Sequence, residues 1–109
     1  MTDKIVVFST CATAEEAQRI ARNLVEARLA ACVNVMPGVR SFYRWKGAVD
    51  EADECLLVIK SSRSLFDRLR LELEKAHTYE VPEAVAVAIV AGAPNFLAWL
   101  DQAVDPAGA

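Results

Sequence analysis

Ala31-Cys32-Val33-Asn34-Val35-Met36-Pro37-Gly38-Val39-Arg40-Ser41-Phe42-Tyr43-Arg44-Trp45-Lys46-Gly47 reads as one long strand. From Val39 to Lys46 the residues alternate, with Val39, Ser41, Tyr43 and Trp45 on one face and Arg40, Phe42, Arg44 and Lys46 on the other, the period of extended chain. Pro37-Gly38 interrupts the run. Proline removes a ladder donor and glycine often marks a bulge, so the pair predicts a bulged or bent edge strand. Such a strand needs a partner.

The partner follows directly. After Lys46-Gly47, the acidic stretch from Ala48 to Glu54 leads into Cys55-Leu56-Leu57-Val58-Ile59-Lys60, so the two form a long hairpin. Its polar distal part should project into solvent, while Leu56 to Ile59 have the composition of a central strand. Upstream, Ile5-Val6-Val7-Phe8 predicts a buried first strand that ends in a polar turn at Ser9-Thr10-Cys11. Thr13 and Glu16 then form a T-x-x-E capping box, and Ala17, Ile20, Ala21, Leu24 and Ala27 recur at helical spacing.

Downstream, Ser62 or Ser64 can cap a second helix with the apolar stripe Leu65, Phe66, Leu69, Leu73 and Ala76. Arg68–Glu72 and Arg70–Glu74 pairs decorate its solvated side. The segment from His77 to Glu83 ends that helix, since Pro82 disfavours helix at Val81, and Ala84 to Ala91 predicts a fourth strand. Gly92-Ala93-Pro94-Asn95 turns into a last helix carrying Phe96, Leu97, Trp99, Leu100 and Val104, with a frayed tail after Pro106.

The order β-α-β-β-α-β plus one terminal helix is that of an α+β, ferredoxin-like fold spanning residues 1–109 as a single domain. Right-handed crossovers give strand order 4-1-3-2, leaving the 31–47 strand and the 84–91 strand as long apolar edges. Pairing one edge with the other edge of a neighbour covers both, and a head-to-tail contact of this kind closes most simply as a homotrimer.

Composition narrows the function. The chain has 109 residues, 54% of them hydrophobic, and that share favours burial between subunits as well as within one. A formal net charge of −3, with basic residues interleaved with acids, argues against nucleic acid and acidic membrane surfaces as partners. Three cysteines without close spacing indicate neither a disulfide framework nor a metal knuckle, and the reading is of reduced thiols in the cytoplasm. The N-terminal apolar run is too short for a signal peptide, and no stretch is long enough to span a membrane.

The topology gathers Cys11, Thr13, His77, Tyr79 and Glu83 at one end of the sheet. Cys11 and His77 offer one soft and one borderline metal ligand, suited to copper or zinc, with Glu80 or Glu83 as a third. Set against this, a lone histidine at a helix C-terminus often caps the helix, and a lone cysteine after a buried strand is often a small hydrophobe. Tyr43, Trp45 and Tyr79 can line a cleft, with Arg44, Lys46 or Lys60 available to an anionic group; packing between subunits accounts for the same residue types. No nucleophile–base pair, P-loop or dinucleotide fingerprint is present, so the reading is of a protein that is not an enzyme.

Several stretches in fixed order carry a resemblance: Leu29 to Asn34, Pro37-Gly38, Ser41 to Gly47, Leu57 to Lys60, His77 to Glu83, and Phe96 to Leu100. Together they resemble the CutA family of divalent-cation-tolerance proteins over nearly the whole chain. The resemblance implies a ferredoxin-like subunit in a homotrimer similar to the nitrogen-regulatory PII proteins. It also implies a response to copper and other divalent cations, with metal ligands at Cys11 and His77. This chain has Ala76 before His77 where relatives can have a second histidine, and Thr78 where proline is usual. An alternative within the same resemblance is a PII-like sensor or adaptor that binds a small anion or a partner protein in a cleft between subunits.

Overall fold

A computed structural model describes residues 2–105; Met1 and the expected tail at 106–109 lie outside the described residues. The elements run β1 (Lys4–Cys11), α1 (Ala14–Glu26), β2 (Cys32–Trp45), β3 (Ala48–Ser62), a 3-10 turn at Arg63–Leu65, α2 (Phe66–Ala76), β4 (Val85–Ala88) and α3 (Pro94–Ala103). The described strands form a four-stranded sheet in the order β2-β3-β1-β4, antiparallel throughout, as the crossover argument predicts.

One face of the sheet carries the core. Ile5 and Val7 of β1 and Leu57 and Ile59 of β3 alternate onto it, and they pack with Ala17, Ile20 and Leu24 of α1 and Leu69 and Leu73 of α2. Leu100 of α3 and Val104 close the cluster. Thr13 caps α1, its hydroxyl accepting from the Glu16 amide at 3.2 Å. Arg28 ends that helix with a φ of 59°, and its guanidinium donates to the carbonyls of Gln102, Ala103 and Val104, tying α3 to α1.

Four expectations are corrected. Cys11 is not in a polar turn: it is the last residue of β1, buried and directly opposite Cys55. The hairpin projects past β1 as expected, with residues 48–54 paired to β2 as part of β3, but Glu54 is buried and not solvated. The last strand is only Val85–Ala88; beyond it Ile89 still donates to the Lys4 carbonyl at 3.0 Å, but no ladder continues. Arg70 pairs with Glu74 at 3.0 Å, whereas Arg68 turns away from Glu72 to Asp105 at 3.3 Å.

The Pro37-Gly38 interruption decides what the hairpin presents. Met36 faces Leu56 and Val39 faces Glu54, so β2 holds one more residue than β3 across this step. Because side chains alternate with period 2, one inserted residue exchanges the faces of everything after it. Val33 and Val35 pair with the core residues Ile59 and Leu57. Past the bulge, Ser41 and Tyr43 instead stand beside Ala52 and Asp50, on the face away from the helices. The distal hairpin extends past the end of β1, which pairs with β3 only from Cys55 to Ser62, and gives the chain a 44 Å long axis. Its tip is a two-residue turn at Lys46 and Gly47, with φ of 49° and 82°, the backbone that two-residue hairpin turns favour.

Candidate functional site

The segment from His77 to Glu83 leaves α2 at the end of the sheet where β1 stops. His77 is the first anchor, with its side chain fully buried. Its Nε2 lies 2.7 Å from the Thr10 carbonyl oxygen, and its Nδ1 lies 3.1 Å from the Tyr79 backbone nitrogen. A carbonyl only accepts and an amide only donates, so Nε2 carries the hydrogen and Nδ1 supplies its lone pair to Tyr79. The second anchor is Glu16, 5% exposed, whose carboxylate accepts from the Thr78 amide at 2.7 Å. The carboxylate of the capping-box residue therefore serves the other helix's exit.

The third anchor is Tyr79. Its ring tilts against His77 with centroids 4.7 Å apart, and its hydroxyl donates to Glu54 at 2.6 Å. Burial, followed by the bond to the Glu54 carboxylate, raises the Tyr79 phenol well above its ordinary value. Glu54 is 8% exposed, although it lies in the stretch expected to be solvated. The bulge puts it opposite Val39, and Tyr79 covers it.

Between this segment and the hairpin opens a cavity of about 570 Å³. Tyr43, Trp45 and Tyr79 supply aromatic walls, and Asp50, Glu54, Glu80 and Glu83 supply carboxylates. Thr10, Ser41, Phe42 and Val81 complete the lining, and no Lys, Arg or His is part of it.

The structure distributes the sequence candidates unevenly. It brings Tyr43, Trp45, Tyr79, Glu80 and Glu83 to one cavity. Arg44 and Lys60 do not line it. Alternation sends Arg44 to the strand face opposite Tyr43 and Trp45, and Lys60 lies near the far end of β3, where it pairs with Asn34. Cys11 Sγ sits 3.7 Å from His77 Nε2, while Glu83 belongs to the cavity.

As a metal centre, Cys11 and His77 do not fit in this arrangement. Both imidazole nitrogens are engaged, so ligation by His77 would cost its bond to the Thr10 carbonyl or to the Tyr79 amide; in the metal-free chain, burial and then the Glu16 carboxylate push the Cys11 thiol up to about 12. Among the described residues, no group of three or more His, Cys, Asp and Glu side chains is placed to hold a metal ion. Sequence reasoning missed Glu16, Asp50 and Glu54. For Glu54 a signal was available, since it is the residue at which the acidic stretch meets the buried strand.

Comparison with known proteins agrees with this architecture. The family model described as "CutA1 divalent ion tolerance protein" matches residues 5–103. The divalent-cation tolerance protein CutA of Thermus thermophilus is 46% identical over 97 residues, covering 89% of this chain and 94% of its own. Protein CutA of Mus musculus is 42% identical over 98 residues, and there the match spans 90% of this chain but 55% of the relative. Among solved structures, CutA from Xylella fastidiosa superposes with a TM-score of 0.93 at 38% identity, covering 95% of this chain and all of its own. The Thermus thermophilus structure gives 0.92 at 43% identity, covering 94% and 99%.

Proposed function

The chain belongs to the CutA1 family of divalent ion tolerance proteins, and from that premise we propose that it is a non-enzymatic cytoplasmic homotrimer that meets cations in the acidic cleft between the hairpin and the 77–83 segment. The observation that carries this reading is the lining: four carboxylates and no basic side chain. Such a field concentrates cations and repels anions, which disfavours the small-anion sensor.

Carboxylate oxygens suit hard divalent ions such as Mn(II) and Mg(II), which keep several waters while using one or two carboxylates, and the cavity lining holds no thiol or imidazole of the kind that selects copper. The absence of a three-residue cage among the described residues is compatible with that mode. Support for assembly comes from the exposed apolar surface of the two edges. Phe42 on β2 is 65% exposed, and Val85 and Val87 on β4 are about half exposed. Three free cysteines are in keeping with a reducing compartment.

Calorimetric titration with Mn(II), Mg(II) and Cu(II) tests the reading. A Glu80→Gln, Glu83→Gln double variant is expected to bind Mn(II) roughly tenfold more weakly, the equivalent of one charged contact. A Cys11→Ala variant is expected to match the parent, and sedimentation of the same samples to report three chains. The reading is wrong if the double variant binds as the parent does, and the assembly argument is wrong if the protein sediments as a monomer.

A further inference from the structure

We propose that the same cleft binds a linear organic di- or polyamine, with its methylene stem along the rings of Tyr43, Trp45 and Tyr79 and its ammonium groups on Glu54, Glu80 and Glu83. This deepens the preceding reading by naming a ligand class, and it rests on that reading only for the location of the site.

Size comes first. At about 570 Å³ the cavity falls in the range of roughly 300–1,000 Å³ typical of small-molecule sites, and it is far larger than a single ion requires. Spacing comes second. The carboxylates share one cavity without converging into a three-ligand group, so a point charge meets few of them while a ligand with separated charges meets several.

The third consideration is Glu54. The residue is 8% exposed, lines the cavity, and its carboxylate takes a single hydrogen bond among the described residues, from the Tyr79 hydroxyl. An ionised carboxylate can accept about four, so this buried group retains unused acceptor capacity toward the cavity. Glu80 and Glu83 form no ion pair or hydrogen bond with other described residues, and their charge is therefore available.

The fourth is the rings. Aromatic rings attract ammonium groups, and Tyr43, Trp45 and Tyr79 line the cavity beside its carboxylates. An amine with an apolar stem uses both the rings and the carboxylates, which neither a hydrated metal ion nor an anion does.

The test is calorimetric titration of the chelator-treated protein in metal-free buffer with spermidine, 1,4-diaminobutane and n-butylamine. Affinity is expected to fall in that order, by roughly tenfold for each ammonium removed, and to weaken with added salt. Glu54→Gln and the surface variant Glu80→Gln are each expected to weaken spermidine binding, the second without any bearing on folding. Absence of spermidine binding overturns the inference, as does butylamine binding as tight as spermidine, or spermidine binding that both variants leave unchanged. Mn(II) binding without amine binding overturns this inference alone, whereas amine binding without divalent-ion binding overturns the preceding reading and leaves this one standing.

Discussion

Leu73→Ala is expected to lower the stability of the fold by about 2–5 kcal/mol, the range for removing a fully buried leucine and leaving a cavity behind. Leu73 is completely inaccessible and belongs to the cluster where α2 meets the sheet. The cost should fall toward the upper part of that range. The cluster it belongs to also draws on α1, β1 and β3, whose backbones are fixed by helix and ladder hydrogen bonds, so the surroundings collapse into the void only in part. Urea unfolding at one fixed protein concentration measures it, so that any self-association weighs equally on parent and variant. A loss below half a kcal/mol would show that α2 packs less closely than described. Leu71, on the same helix but 57% exposed, is the control, and Leu71→Ala should change little.

Glu16→Ala carries the second large effect, expected at about 1–3 kcal/mol, because it removes the charge-assisted hydrogen bond that a buried carboxylate makes to the Thr78 amide. The carboxylate accepts from the Thr78 amide at 2.7 Å and lies 3.8 Å from His77 Nδ1, so it holds the first residues of the segment that forms one wall of the cleft. Glu16→Gln keeps an accepting oxygen in nearly the same place and should lose clearly less. Urea unfolding ranks the two, and hydrogen exchange at Thr78 and Tyr79 localises the effect. Equal losses for Ala and Gln, or unchanged exchange at Thr78 in the alanine variant, would remove Glu16 from its role as an anchor.

These two residues mark how far the sequence alone reaches. Leu73 was legible because helical spacing and burial are the same fact seen twice, and the same holds for the strand order, where alternation and crossover handedness leave one arrangement. Glu16 was legible only as a capping residue, since its second partner, Thr78, is 62 positions away and no local pattern announces such a bond. The Pro37-Gly38 bulge was visible, but its consequence was not. Only the register, with Met36 on Leu56 and Val39 on Glu54, shows that Tyr43 and Trp45 stand on the opposite face of the sheet from Val33 and Val35.

Glu54 followed from alternation. Composition placed it in solvent with its acidic neighbours, but the alternation of β3 from the core residue Leu57 sets it on the face away from the helices, where Tyr79 covers it. The Cys11–His77 pair is the reverse case. Topology brought the two together as expected, at 3.7 Å, but proximity is not ligation. What each donor atom is doing decides the chemistry, and His77 makes bonds through both nitrogens, to the Thr10 carbonyl and the Tyr79 amide. The cation site is therefore argued from the carboxylates on the other side of Tyr79.

The presence of a single histidine permits a direct check of that claim. In protein carrying 15N-labelled histidine, the imidazole gives two nitrogen resonances, and both can be followed during saturation with Mg(II) and then Zn(II). The account predicts a hydrogen on Nε2 and none on Nδ1, with neither resonance changing its character as cations fill the cleft, while the Trp45 indole signal shifts. Loss of the Nε2 hydrogen, or a metal-ligand shift at either nitrogen as binding proceeds, would contradict it and return the cation to Cys11 and His77.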